Sequence, residues 1–116
     1  MINITYLTNS TPQDRARNQR LIRKYGLSYH QYNKLLAHQG GVCAICRRPP
    51  KTMRLAVDHD HKTGQVRGLL CFFCNKKVIG RHRQEHAWKF ERAALYLKSP
   101  IDWRTYDHSA SHPVHE

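Results

Sequence analysis

Leu55-Ala-Val-Asp-His-Asp-His-Lys-Thr-Gly64, set between Cys43-Ala-Ile-Cys46 and Cys71-Phe-Phe-Cys74 and followed at once by Asn75, is the stretch on which the fold turns. The cysteine pairs stand 24 residues apart, and a two-residue gap lets each pair bite one ion from a tight turn, so together they complete a tetrahedral thiolate shell. Zinc is the expected occupant. Redox dithiols, an iron site of similar spacing and buried unligated thiols are the other readings of the same pattern. Four sulfurs leave no open coordination position, so this metal holds structure and does not activate water. Arg47, Arg48, Lys76 and Lys77 flank the thiols and favour their ionisation, without telling zinc from iron.

Between the pairs, residues 54–58 and 65–70 read as two short strands joined by the turn Lys62-Thr63-Gly64, a hairpin. From Cys74 a short helix carries Asn75 to about Ile79, and Gly80 stops it. On the N-terminal side, Ser28 and Gln31 form a capping box, Leu27 staples to Tyr32, and Leu35 and Leu36 continue the buried face until Gly40-Gly41. A helix therefore delivers the clamp. Upstream, Thr11 caps and Pro12 opens a further helix running to Tyr25 and ending at Gly26. It carries Arg15, Arg17, Arg20, Arg23 and Lys24 beside a thin apolar stripe; a DNA-facing helix and an ordinary solvated one both read this way.

A last helix spans about Glu85 to Lys98, with Ala87, Phe90, Ala94 and Leu97 on one face. The expected class is α+β: a small zinc-stapled domain with a hairpin–helix centre and flanking helices. Residues 1–11 read as an irregular N-terminal segment, 12–100 as the domain, and 101–116 as a C-terminal tail. That tail holds Trp103, Tyr106, His108, His112 and His115 without periodicity.

The chain has 116 residues, short enough that a single domain buries only a modest core and benefits from a staple. Twenty Lys and Arg against eight Asp and Glu give a formal charge of +12. A zinc–tetrathiolate site would lower this only to about +10. Nucleic acid is the leading partner class. Neither a signal-peptide pattern nor an apolar run long enough to span a bilayer is present in the sequence, so it reads as cytoplasmic with no membrane partner. In a reducing compartment paired Cys-x-x-Cys motifs favour metal over disulfides.

Phosphodiester hydrolysis needs a group to deprotonate water and another to stabilise charge on the phosphate and leaving oxygen. Asp58-His59-Asp60-His61 contains both chemistries. Asp58 is a hard oxygen ligand for Mg²⁺, and Asn75 can add its amide oxygen. Strict alternation puts Asp58 and Asp60 on one face and His59 and His61 on the other, so the strand must twist, bulge or end there if Asp58 and His59 are to serve one phosphate. A solvent-exposed polar turn and a His-x-His transition-metal pair are the competing readings of these residues.

Gly40-Gly-Val-Cys-Ala-Ile-Cys46, residues 55–64 and Val66-Arg-Gly-Leu-Leu-Cys-Phe-Phe-Cys-Asn75 resemble the recombination endonuclease VII family, a branch of the His-Me finger, or HNH-like, nucleases. The close resemblance covers roughly residues 25 to 80. It implies a ββα-metal site with His59 as general base, His61 in support, Asp58 and Asn75 on catalytic Mg²⁺ or Mn²⁺, and structural Zn²⁺ on Cys43, Cys46, Cys71 and Cys74. Two departures stand out: Val78 occupies the place of a carboxylate three positions beyond the matching Asn, and a shorter stretch follows than the long helical dimerisation region of the family's phage resolvase. Waters or Asp60 are the expected substitutes for that carboxylate.

The resulting expectation is a metal-dependent DNA endonuclease acting on duplex or branched DNA, as a monomer or a homodimer, in phage recombination, packaging or restriction. Lys62, Arg67, Lys76, Lys77, Arg81 and Arg83 are candidate phosphate contacts. The rival expectation is a non-catalytic zinc-stapled module that binds nucleic acid by charge alone.

Overall fold

The computed structural model describes residues 11–106; the expected irregular segment 1–10 and His108, His112 and His115 lie outside them. Helix α1, Pro12–Tyr25, starts as its sequence dictates. The Asp14 N–H donates to Thr11 Oγ1 at 3.1 Å and the Thr11 N–H donates to Asp14 Oδ2 at 3.2 Å. Gly26 ends it at φ 69°, in the left-handed region where a Cβ is penalised, and donates its N–H to Ile22 O at 2.8 Å. No residue of α1 is fully buried, as its thin apolar stripe predicts.

Helix α2, Tyr29–His38, carries the Ser28/Gln31 capping box, with bonds of 3.0 and 2.8 Å. Tyr29 is joined to α1 through its N–H, which donates to Asn18 Oδ1 at 2.8 Å. Tyr32 is buried, and its hydroxyl donates to Leu55 O at 2.6 Å, pinning α2 to the approach to the sheet. Burial pushes the Tyr32 phenol pKa up against the opposing pull of Arg54 and Arg17, which keeps it protonated and donating.

Strands β1 (Ala56–His59) and β2 (Val66–Leu70) pair antiparallel in a two-stranded sheet, with Ala56 opposite Leu70, Val57 opposite Leu69, Asp58 opposite Gly68 and His59 opposite Val66. That register skips Arg67, so a bulge falls between the Asp58 and His59 pairings. The strands begin one or two residues later than expected. Phe72 and Phe73 open a helical turn that widens into a π-helix over Cys74–Ile79, where the Gly80 N–H reaches Asn75 O at 3.0 Å. The sequence predicted a helix here but not its wide winding.

Tyr32, Cys43, Leu55, Val57, Leu69, Leu70 and Cys74 form the buried core. Two of these seven are clamp cysteines, so the cysteine cluster and the apolar core are one structure. A core this small leaves the staple much of the stabilising to do.

Contacts divide the chain into two compact units between His82 and Arg83. In the second, a 3₁₀ turn, Gln84–His86, leads into α3, Ala87–Lys98, so regular α-helix starts two residues later than predicted. A further helical turn, α4 (Trp103–Tyr106), lies in the segment read as tail; Asp102 nucleates it, its Oδ1 accepting from the Arg104 N–H at 3.1 Å.

Candidate active and metal sites

The clamp cysteines come from two turns. In the first, the Arg47 N–H donates to Cys43 O at 3.0 Å, the Cys43 N–H donates to Arg48 O at 3.0 Å, and Arg47 takes a left-handed φ of 63° that only a tight knuckle demands. Backbone N–H groups also point at sulfur: Ile45 N to Cys43 Sγ and Cys74 N to Cys71 Sγ, each 3.4 Å. All four sulfurs lie within 4.8 Å of one another, and Cys46 and Cys71 Sγ are 3.9 Å apart. Thiolates about 2.3 Å from a central zinc would be about 3.8 Å apart, so the shell has the right size. Among the described residues it is the one cluster of three or more His, Cys, Asp or Glu side chains placed to hold a metal.

The thiols are not equivalent. Burial opposes ionisation of Cys43, but backbone N–H groups of Cys71, Cys46 and Ile45 outweigh it and bring the thiol down to about 6. Cys74 is pushed up to about 12, first by burial and then by the neighbouring sulfurs of Cys71 and Cys43. One thiolate, at Cys43, is thus readily formed while Cys74 resists ionisation, as expected where sulfurs are crowded together without a cation between them.

On the hairpin, Asp58 and Asp60 are buried, at 7% and 2% exposure, while His59 is half-buried and His61 exposed; Val57 is buried beside Asp58, so burial does not alternate strictly along β1. The two histidine rings lie 4.8 Å apart, and His59 also meets the Tyr25 ring at 5.2 Å. The Tyr25 contact has no local sequence signal, because it joins the end of α1 to the end of β1. Asp60 is a turn organiser. Its Oδ1 accepts from the Lys62 and Thr63 N–H groups at 2.8 and 3.0 Å, and its carbonyl accepts from Gly64 N at 2.7 Å.

Asp58 receives a two-pronged grip from Arg67. Arg67 Nε donates to Asp58 Oδ2 at 2.9 Å and Nη2 donates to Oδ1 at 3.0 Å, while Nη1 donates to His82 O at 2.9 Å. The bulge is what brings this bulged side chain to bear on the carboxylate opposite. Asn75 is half-buried in the first turn of the π-helix, its N–H bonded to Cys71 O at 2.9 Å. Among the candidate phosphate contacts, Lys62, Lys76, Lys77 and Arg81 are exposed, Arg67 has its fork on Asp58, and Arg83 pairs with Glu85 at 3.2 Å in the second unit.

Gln39 carries no signal in the sequence beyond its place at the end of α2, yet it is buried and closes the outer edge of β2. Its Oε1 accepts from Leu69 N at 2.9 Å and its Nε2 donates to Leu69 O at 3.0 Å and Val42 O at 2.9 Å. The amide acts as a one-residue strand. Ala44 N, inside the first knuckle, adds a bond of 3.1 Å to Leu69 O.

The profile of the recombination endonuclease VII family matches residues 18–99, most of the chain. The chain belongs to that family. Endonuclease VII membership thus extends past the motif segment into the last two turns of α1 and through α3, and it leaves Pro12–Arg17 outside. Similar proteins include the gene 59 proteins of Mycobacterium phages D29 and L5, 46% and 48% identical over 82 residues. The match takes in 70% of this chain and 49% of each relative, so the chain spans about half the length of these relatives. No helix among the described residues is long and apolar enough to cross a membrane.

Proposed function

We propose that this endonuclease VII-family chain is a DNA endonuclease that hydrolyses phosphodiester bonds at the end of β1. The observation that carries this reading is the register break between Asp58 and His59, within a chain of this family. Strict alternation separates an acid from an imidazole; a bulge opposite them, with the strand ending at His59, would let both address one phosphate.

In this mechanism His59 accepts a proton from the attacking water on a ring nitrogen. Its ring packs against those of Tyr25 and His61, contacts that would help to position it. Asp58 and Asn75 would hold the divalent ion, Mg²⁺ or Mn²⁺. Their oxygens suit a hard cation, and an ionised carboxylate has about four lone-pair sites, so the Arg67 fork leaves room for a metal bond. When bound, the ion would neutralise charge on the phosphate and the leaving oxygen. Arg67 fixes the carboxylate plane, Asp60 fixes the turn that follows, and the four cysteines would hold a structural zinc that joins the hairpin to the segment bearing Asn75. Lys62, Lys76, Lys77 and Arg81 supply exposed positive charge for the DNA backbone.

The Arg67–Asp58 pair is also what a non-catalytic zinc module binding nucleic acid by charge would contain, since it neutralises the carboxylate without any ion. Cleavage separates the two readings. Wild type and His59→Ala are compared on supercoiled plasmid and on a synthetic four-way junction, with Mg²⁺ added or omitted so that zinc stays in place. Metal-dependent cutting that falls at least a hundredfold in His59→Ala is expected. Equal cutting by both proteins, or none while both bind, would overturn the catalytic reading. Paired cuts on the junction in preference to plasmid would identify branched DNA as the substrate.

A further inference from the structure

Beside the hairpin, α1 and the approach to β1 enclose an open cavity of about 270 Å³. Four of its lining side chains are cationic, Arg17, Arg20, Lys24 and Arg54, and none is acidic. Arg17, Arg20 and Lys24 recur at helical spacing, so one face of α1 presents a row of positive charge along the groove. Tyr25 and Tyr32 form part of its wall.

Two features of this groove point to an anion. The first is that two of its lining cations, Arg17 and Arg54, converge through Nη1 on the hydroxyl of the neighbouring Tyr29, which accepts from them at 3.3 and 3.5 Å. Both guanidinium groups also lie over its ring, at 5.3 and 6.0 Å from the centroid. Two like charges are thereby gathered around one neutral oxygen, an arrangement that costs energy unless a negative group joins them. Among the described residues, the ion pair that Arg17 makes is a long one, 3.8 Å to Asp14. The second is Tyr25, which lines the groove and also packs its ring 5.2 Å from that of His59. One wall residue of the groove therefore touches the proposed general base.

We infer that this groove is a subsite for the sugar-phosphate backbone of a nucleic-acid strand, holding phosphates next to the one delivered to His59. The inference rests on the nuclease reading for its direction and on the groove for its chemistry. Arg17 and Arg54 would clasp a phosphate over Tyr29; Arg20 and Lys24 would take its neighbours along α1. The contacts are to backbone alone, so the subsite adds affinity and sets the path of the strand without reading sequence. Arg17 lies one residue before the segment matched by the family profile, which begins at residue 18.

The test is direct binding of the zinc-loaded chain to a fluorescent duplex oligonucleotide, Mg²⁺ omitted, over a series of salt concentrations. Arg20→Gln/Lys24→Gln is compared with Arg15→Gln/Arg23→Gln, which removes the same charge from positions of α1 outside the groove. Glutamine keeps the helix propensity in both. Each lost phosphate contact lowers the slope of log affinity against log salt by about 0.9, so the groove variant should lose nearly 2 from its slope and the matched variant almost nothing. Arg54→Gln, which leaves α1 untouched, should lose about 1 and serves if the double variant unfolds. Equal slopes for the two double variants would overturn the subsite. A wild-type chain without salt-dependent DNA binding would overturn the nucleic-acid reading as a whole, whereas a wild type that binds and cuts DNA beside matching double variants would sink the subsite alone.

Discussion

Arg67 holds Asp58 through two near-parallel bonds of 2.9 and 3.0 Å, and it does so because the β2 bulge adds a residue just where Asp58 gives way to His59. Both side chains are largely removed from solvent, at 16% and 10% exposure. Deleting the cation strands a carboxylate in the interior, and the cost of such orphaned charges is about 3 kcal/mol. Arg67→Ala should therefore lower the urea midpoint strongly, Arg67→Lys should recover only part of the loss because it lacks the fork, and Arg67→Ala/Asp58→Ala should lose less than the two single changes added together. Additive losses would mean the pair is not a coupled unit.

Gln39→Ala leaves Leu69 N–H without its partner under the core and removes two further bonds, to Leu69 O and Val42 O. The expected loss is about 2–3 kcal/mol. Gln39→Glu should fare little better, since a carboxylate would face two carbonyl oxygens. Amide hydrogen exchange at Leu69 reads the local effect: the rate should rise well beyond what the global loss of stability explains.

Zinc uptake should depend on pH with a definite sign. At neutral pH Cys43, lowered to about 6, is mostly ionised, whereas Cys74, raised to about 12, must give up a proton to bind. Each proton released makes the apparent affinity rise about tenfold per pH unit, so log K against pH should climb with a slope of at least about 1 above pH 7 and more steeply below 6, where Cys43 must also deprotonate. Competition titrations with a chromophoric chelator measure this. A flat profile would contradict the assigned ionisation states.

Gly26 ends α1 at φ 69°, with open space where a Cβ would go. Gly26→Ala therefore tests backbone strain without any clash, and a loss of about 1 kcal/mol in chemical denaturation is expected. A neutral result would show that the end of α1 relaxes at no cost.

The elements legible in the sequence were those with local causes. Thr11, Pro12 and Gly26 bracket α1, Ser28 and Gln31 start α2, and the cysteine spacing anticipates a shell of the size found. What escaped was set by contacts between distant segments. The π-winding after Phe73, the Gln39 amide on Leu69 and the Tyr25 ring on His59 all depend on neighbours that local periodicity cannot see. Arg67 is the instructive case: as a basic residue on a predicted strand it reads as a phosphate contact, and only the bulge turns it toward Asp58. Asp60, considered as a stand-in metal ligand, has an oxygen committed to the turn amides of Lys62 and Thr63.

The Gln39 amide and the Ala44 N–H together cover the outer edge of β2 at Leu69, which could otherwise recruit a strand from another molecule. Ala44 sits between two clamp cysteines, so a metal held by them would also hold this cover down. Demetallation would then do more than loosen the fold: it would bare a hydrogen-bonding edge flanked by Leu69 and Leu70, and intermolecular strand pairing leading to aggregation becomes the route by which the zinc-free chain is lost.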